Sequence, residues 1–187
     1  MEIQVYLFTG FLDSGKTTFI RDTLTDRRFN DQEPTLLILC EDGEEAYDKS
    51  APYMKNVTVQ ILDSEEEINE ENLTRIAMKA QAKKVIVEYN GMWMINDFYQ
   101  RMPDNWIVYQ ELMFADATTF LSYNANMRNL VYDKLSSCEI VIFNRCTDQT
   151  DKETLHKIVR GINRRCDIAY EDENGKVEYD EIEDPLP

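Results

Sequence analysis

Cationic side chains are scarce in this chain. Its 187 residues carry 20 Lys and Arg against 36 Asp and Glu, a formal net charge of -16 at pH 7, with one histidine. A protein that grips a nucleic-acid backbone wants a basic face, so no nucleic-acid partner is expected, although a local basic pocket for one nucleotide remains compatible. Cysteine is scarce as well. Cys40, Cys138, Cys146 and Cys166 are scattered with no Cys-x-x-Cys, which argues against a disulfide framework and for a reduced, cytoplasmic protein. No apolar run is long enough to span a bilayer and no signal-peptide pattern follows Met1, so no membrane partner is expected. Internal repeats and long linkers are missing too. With 43% hydrophobic and 30% charged residues, residues 1–187 read as a single globular domain.

What the chain does have is Gly10-Phe11-Leu12-Asp13-Ser14-Gly15-Lys16-Thr17-Thr18, a match to G-x-x-x-x-G-K-[ST] at every fixed position. An apolar, β-prone run (Ile3 to Phe8) precedes it and a helix-like run (Thr17 to Leu24) follows, the context that makes this pattern a phosphate loop. Gly10 and Gly15 let the backbone curl close to an anion, the loop N–H groups point inward, and the next helix adds its positive end. In this pattern Lys16 reaches the β/γ-phosphates and the Thr17 hydroxyl ligates Mg²⁺. Ser14 and Thr18 complete the cradle. Asp13 is out of character, since a carboxylate near phosphates repels them. It either faces outward or loosens nucleotide binding.

Farther along, apolar runs alternate with amphipathic patterns. Strands are expected at Thr35 to Cys40, Val57 to Leu62, Lys84 to Glu88, within Trp106 to Ala115, and at Glu139 to Phe143. Helices are expected behind Ser64 and Glu67, and behind Thr150 and Glu153, both pairs at capping-box spacing, with one long helix starting near Thr118. Ile168 to Glu171 and Val177 to Tyr179 flank Asn174-Gly175, a hairpin signal. The predicted fold is α/β: a P-loop domain with a mostly parallel central sheet flanked by helices and a C-terminal β-hairpin.

Ligands of such sheets sit at the carboxyl ends of the strands, and that is where the polar clusters fall: Glu41-Asp42, Glu88 to Gly91, Asp116, and Asn144 to Asp148. Glu88 is a candidate to hold Mg²⁺ or orient an attacking water, with the Gly91 N–H sensing the γ-phosphate. Glu41 and Asp42 are candidate second carboxylates for Mg²⁺ or for a transition metal. Cys40 and Cys146 end strands near the site, but buried core cysteine is the commoner fate. Met92, Trp93, Met94 and Phe98 fit either core packing or a partner-facing switch. His156, in a helix with polar neighbours, reads as a surface residue.

The ordered set of motifs resembles the CobW-type GTPases, relatives of the urease and hydrogenase nickel-insertion GTPases. GFLDSGKTT resembles their GFLGSGKTT loop, and LLILCEDGEEAYD their strand followed by N-E-x-G-E. VIVEYNG resembles their E-x-x-G element, FADATTF their V-V-D-A strand end, and SSCEIVIFNR the strand leading to their N-K-x-D guanine reader. The resemblance runs from about residue 3 to about residue 180. It implies slow GTP hydrolysis with Mg²⁺, a nucleotide-linked homodimer, a client metalloprotein, and handling of zinc, cobalt or nickel. Lys16, Glu88 and Gly91 take the catalytic roles in that reading. Three departures stand beside it. Leu62 to Glu66 lies where the family carries a C-x-C-C metal motif. The reader is Asn144-Arg145-Cys146-Thr147-Asp148, with arginine for lysine and the aspartate one residue late, so Asp148 reaches its place only if the loop bulges by one residue. Many members also carry a further C-terminal domain, which is not expected within these residues. A P-loop small-molecule kinase and a non-hydrolysing nucleotide-binding scaffold remain the alternatives.

Overall fold

A computed structural model describes residues 2–41 and 47–182. Eight strands form one sheet: β1 (Ile3–Thr9), β2 (Thr35–Leu39), β3 (Val57–Ile61), β4 (Lys84–Glu88), β5 (Trp106–Asp116), β6 (Ile140–Cys146), β7 (Asp167–Asp172) and β8 (Val177–Tyr179). Their order is β3-β2-β4-β1-β5-β6-β7-β8, and every pairing is parallel except the terminal β7–β8 hairpin. Among the described residues the α-helices are α1 (Lys16–Thr25), α2 (Glu70–Ala80), α3 (Ile95–Arg101), α4 (Phe120–Asn126), α5 (Arg128–Ser137) and α6 (Lys152–Ile162).

Alternation along the strands divides the core into two layers. Phe8, Leu37, Ile86, Leu112, Phe114 and Ile142 face Ile20 and Leu24 of α1. Their neighbours face the other way. Val5, Leu7, Ile38 and Val87 pack under α2 and α3, while Met113, Val141 and Phe143 pack under α4, α5 and α6. Five helices therefore cover one face and α1 the other. The central strands are apolar on both sides, which is why Leu36 to Leu39 and Val85 to Val87 are uninterrupted apolar runs.

Four local expectations change. The Ser64/Glu67 capping box forms, but on a single 3₁₀ turn; α2 starts later, where Asn69 accepts from the Asn72 N–H at 2.9 Å. The cap of α6 is Asp151, accepting from Thr154 N–H at 3.0 Å, while Thr150 accepts from Thr147 N–H at 2.9 Å. The long helix after Thr118 is two helices. Asn126 turns its amide back onto the Ser122 carbonyl at 2.8 Å, and Met127, at φ −129°, leaves the helical region. His156 is not on the surface: it is 3% exposed, and its Nδ1 lies 2.6 Å from Asp180 Oδ2, just past β8. It lies next to Leu155 and one turn from Val159 on the buried stripe of α6, and its distant partner left no local signal.

Candidate functional site

β1 ends in the glycine loop, and the loop ends in α1. Gly10 and Gly15 have φ of +132° and +93°, torsions that L side chains rarely adopt. A Cβ on Gly10 would strike the Phe114 carbonyl, and one on Gly15 would strike the Asn144 amide. The glycines are therefore demanded twice, by torsion and by close approach. Asp13 is also left-handed, at φ +57°, and its side chain is exposed. That is the outward-facing alternative for this residue.

Lys16 is 2% exposed. Its ammonium donates to the Gly10 and Phe11 carbonyls at 2.9 Å each and pairs with Glu41 Oε1. The other Glu41 oxygen accepts from Gly91 N–H at 3.3 Å. One carboxylate thus occupies both groups that the sequence assigns to the γ-phosphate. Gly91 is held tight against the loop: a Cβ there would lie 2.6 Å from the Gly10 oxygen and 2.7 Å from Phe11 Cα, both backbone atoms. Thr17 donates its hydroxyl to Glu88 Oε1 at 2.5 Å, and Tyr47 donates to Glu88 Oε2 at 2.8 Å. Burial pushes the Glu88 carboxyl up, against the pull of those two donors. Asp42 lies outside the described residues.

Lys16, Thr17, Glu41 and Glu88 line a cavity of about 90 Å³ with Ser14, Thr18 and Arg145. The Ser14 hydroxyl is buried without a partner among the described residues. A buried orphan hydroxyl, a lysine with a stand-in anion and two glycines spaced for backbone approach fit a polyphosphate. The donors around it are a threonine hydroxyl and carboxylates. Hard oxygen ligands of this kind suit Mg²⁺, which needs only one or two carboxylates beside phosphate oxygens. A thiolate site does not fit. Cys40 is buried and its thiol is pushed up, chiefly by burial. Cys146 is buried too. Among the described residues no group of three or more His, Cys, Asp or Glu is placed to hold a metal ion.

At the other end, Asn144 is 8% exposed and donates its amide to the Ser14 carbonyl at 2.6 Å. Arg145, at φ +54°, reaches back to the Asp13 carbonyl at 3.0 Å and pairs with Asp116. β6 does bulge by one residue here. Phe143 and Cys146, three apart, pair with Tyr170 and Asp172, two apart. The bulge falls at Asn144-Arg145, within the strand, and Asp148 beyond it is exposed. A second cavity of about 500 Å³ opens here between the start of α1, the end of β6 and the β7–β8 turn, sharing Gly15, Thr18 and Arg145 with the first. Three features had no readable sequence signal: the Tyr47–Glu88 contact, the Glu41–Lys16 pair, and the Asp116–Arg145 pair. Each joins residues dozens apart in sequence.

Met92 and Met94 are exposed and Phe98 is fully buried, so that segment divides between core and surface. A family model described as "CobW/HypB/UreG, nucleotide-binding domain" matches residues 4–169. The chain belongs to this family. Compared with curated proteins, the CobW/HypB/UreG domain matches none. Among solved structures it is similar to the Zn(II)-bound YjiA GTPase from E. coli, at 19% identity and a TM-score of 0.64, covering 90% of this chain and 57% of that one. It is similar also to a Zn(II)-bound triple mutant of YjiA GTPase, at 20% identity and a TM-score of 0.65, covering 91% and 57%. This CobW/HypB/UreG domain thus spans little more than half the length of those structures, and at such identity the likeness is one of fold.

Proposed function

We propose that the chain is a Mg²⁺-dependent GTP-hydrolysing switch domain that serves metal homeostasis or metalloprotein maturation. The observation that carries this reading is the convergence of Lys16, Thr17, Glu41, Glu88 and the Gly91 N–H on one glycine loop. Family membership supports it. Lys16 neutralises the bridging and terminal phosphate oxygens once it leaves Glu41. The Thr17 hydroxyl and Glu88 are the residues that would hold Mg²⁺, which when bound supplies charge neutralisation at the phosphates. Glu88, held from both sides by Thr17 and Tyr47, is fixed well enough to orient an attacking water. The Gly91 N–H is offered to the γ-phosphate, so its exchange of Glu41 for phosphate couples the loop to the segment that follows β4. A client metalloprotein and a nucleotide-linked homodimer are the partners this reading implies, in the cytoplasm.

The test is nucleotide turnover by the purified protein with and without Mg²⁺, then with zinc, cobalt or nickel. GTP hydrolysed only with Mg²⁺ is the expected result. Turnover only with a small-molecule acceptor would make it a kinase. Nucleotide held unhydrolysed for hours would make it a scaffold.

A further inference from the structure

The second cavity is the natural seat for whatever is attached to the phosphates. It is continuous with the phosphate loop and large enough for a nucleoside. Asn144, pinned to the loop, and Arg145, which reaches back to Asp13, both line it. What separates guanine from adenine in such a seat is an anionic acceptor. Guanine presents two adjacent donors, N1–H and the N2 amine, and one carboxylate satisfies both. Adenine presents an acceptor at N1, which a carboxylate repels.

Thr147 stands where an N-K-x-D aspartate would, but its hydroxyl accepts from Gln149 N–H at 3.3 Å within its own turn. Asp148 is exposed and is not among the described residues lining the cavity. Asp172 lines it but is engaged in the hairpin turn, accepting from Asn174 N–H at 2.8 Å and Lys176 N–H at 2.9 Å. Glu173 is exposed at the rim. Glu171 remains. It is half-buried, alternation on β7 turns it with Ala169 towards the α1 face, and it lines the cavity opposite Thr18 and Asp22. No ion pair of Glu171 occurs among the described residues. Burial, then the Asp22 and Asp172 carboxylates, push its carboxyl up, as happens to an acid facing a cavity without a donor.

We propose that Glu171, at the end of β7, is the specificity residue that accepts the guanine edge, in place of Asp148. This rests on the phosphate-site reading of the glycine loop. The one-residue bulge in β6 fits it: by letting Cys146 pair with Asp172 it brings the β7 end level with the reader loop.

The test uses dissociation constants for GDP, ADP and xanthosine diphosphate, by calorimetry, on the wild type, Glu171→Gln, Glu171→Asp and Asp148→Asn. Xanthine keeps N1–H but carries a carbonyl where guanine has its amine, so a glutamine in place of Glu171 matches xanthine and mismatches guanine. Glu171→Gln is expected to lose about tenfold or more in GDP affinity and to gain a comparable factor for xanthosine diphosphate. Glu171→Asp should lose GDP affinity without that gain, and Asp148→Asn should change neither. A gain cannot come from misfolding, so the exchange is diagnostic. The same exchange in Asp148→Asn, unchanged constants in Glu171→Gln, or wild-type ADP binding equal to GDP binding would overturn the proposal and leave the phosphate site standing. A wild type that binds none of the three would overturn both.

Discussion

At the proposed phosphate end the candidate ligands are mostly backbone, set by two glycine torsions and a helix start within nine consecutive residues. At the proposed base end they are side chains on α1, β6, the end of β7 and the β7–β8 turn, brought together only by the sheet. The phosphate end is closed on itself, with Lys16 paired to Glu41 and Glu88 held by two donors. The base end holds an uncompensated carboxylate. A backbone-built site tolerates little drift in its motif, because each glycine answers to a steric limit. A site built from side chains can move its acceptor from one strand end to the next and keep the same chemistry. GFLDSGKTT therefore keeps every fixed position of its pattern, while Asn144 to Asp148 does not.

The sharpest break of this comparison is Lys16→Ala. The loop backbone persists because its glycine torsions do not depend on the lysine. The Gly10 and Phe11 carbonyls and Glu41 lose their donor, at about 1–3 kcal/mol of stability. Nucleotide affinity should fall by about a hundredfold or more, for GTP and ATP alike, since the loss is at the phosphates. Calorimetry on a variant with an unchanged circular-dichroism spectrum checks it, and a retained affinity removes the phosphate-site assignment.

Next in size is Glu88→Gln. The amide keeps the shape and an acceptor for Thr17 or Tyr47 but removes the charge. Binding should persist and turnover should drop roughly ten- to a thousandfold. If binding collapses and turnover per bound nucleotide is unaffected, Glu88 is a structural residue.

The same contrast governs what could be read from the residues. The sheet and the hairpin were legible, because short, mostly apolar stretches bounded by polar turns have few other uses. The loop was legible because its chemistry is local. The buried His156–Asp180 pair and the Tyr47–Glu88 contact were not, because each depends on a partner the chain brings back later; the split at Met127 was missed because the Asn126 side chain competes locally for the backbone within an otherwise helical pattern. The base end was half legible. The change from N-K-x-D was visible, but that Asp148 would stay exposed while Glu171 lined the cavity needed the register of β6 against β7.

Glu41 gives a smaller and opposite effect. Its carboxylate holds the Lys16 ammonium and the Gly91 N–H, and in the proposed reading nucleotide must displace it from both. Glu41→Ala should raise GTP affinity about three- to tenfold by removing that competitor, while GDP, lacking the γ-phosphate, gains less. Equal gains would place Glu41 over the β-phosphate instead. A loss would make Glu41 a ligand of the bound state.

The smallest effect tests whether the base end carries an uncompensated charge when empty. The Glu171 carboxyl is raised above the ordinary glutamate value, so in the window between the two values the folded chain binds more protons than the unfolded chain. Stability there falls as pH rises, and above the window the cost is fully present. Glutamine has no such charge. Glu171→Gln should therefore melt slightly higher than the wild type at neutral pH without nucleotide. Glu171 is only half-buried, so solvent screens the cost to less than about 1 kcal/mol. For a domain of this size that is a rise of about 1–3 °C. The rise should shrink as pH falls through the window and vanish below about pH 3, where the carboxyl is protonated in both states. It should reverse in saturating GDP, because the wild type then gains a donor pair that the variant cannot match. A variant that melts lower than the wild type at neutral pH without ligand would mean that Glu171 already has a partner, and the contrast between a closed phosphate end and an open base end would fail.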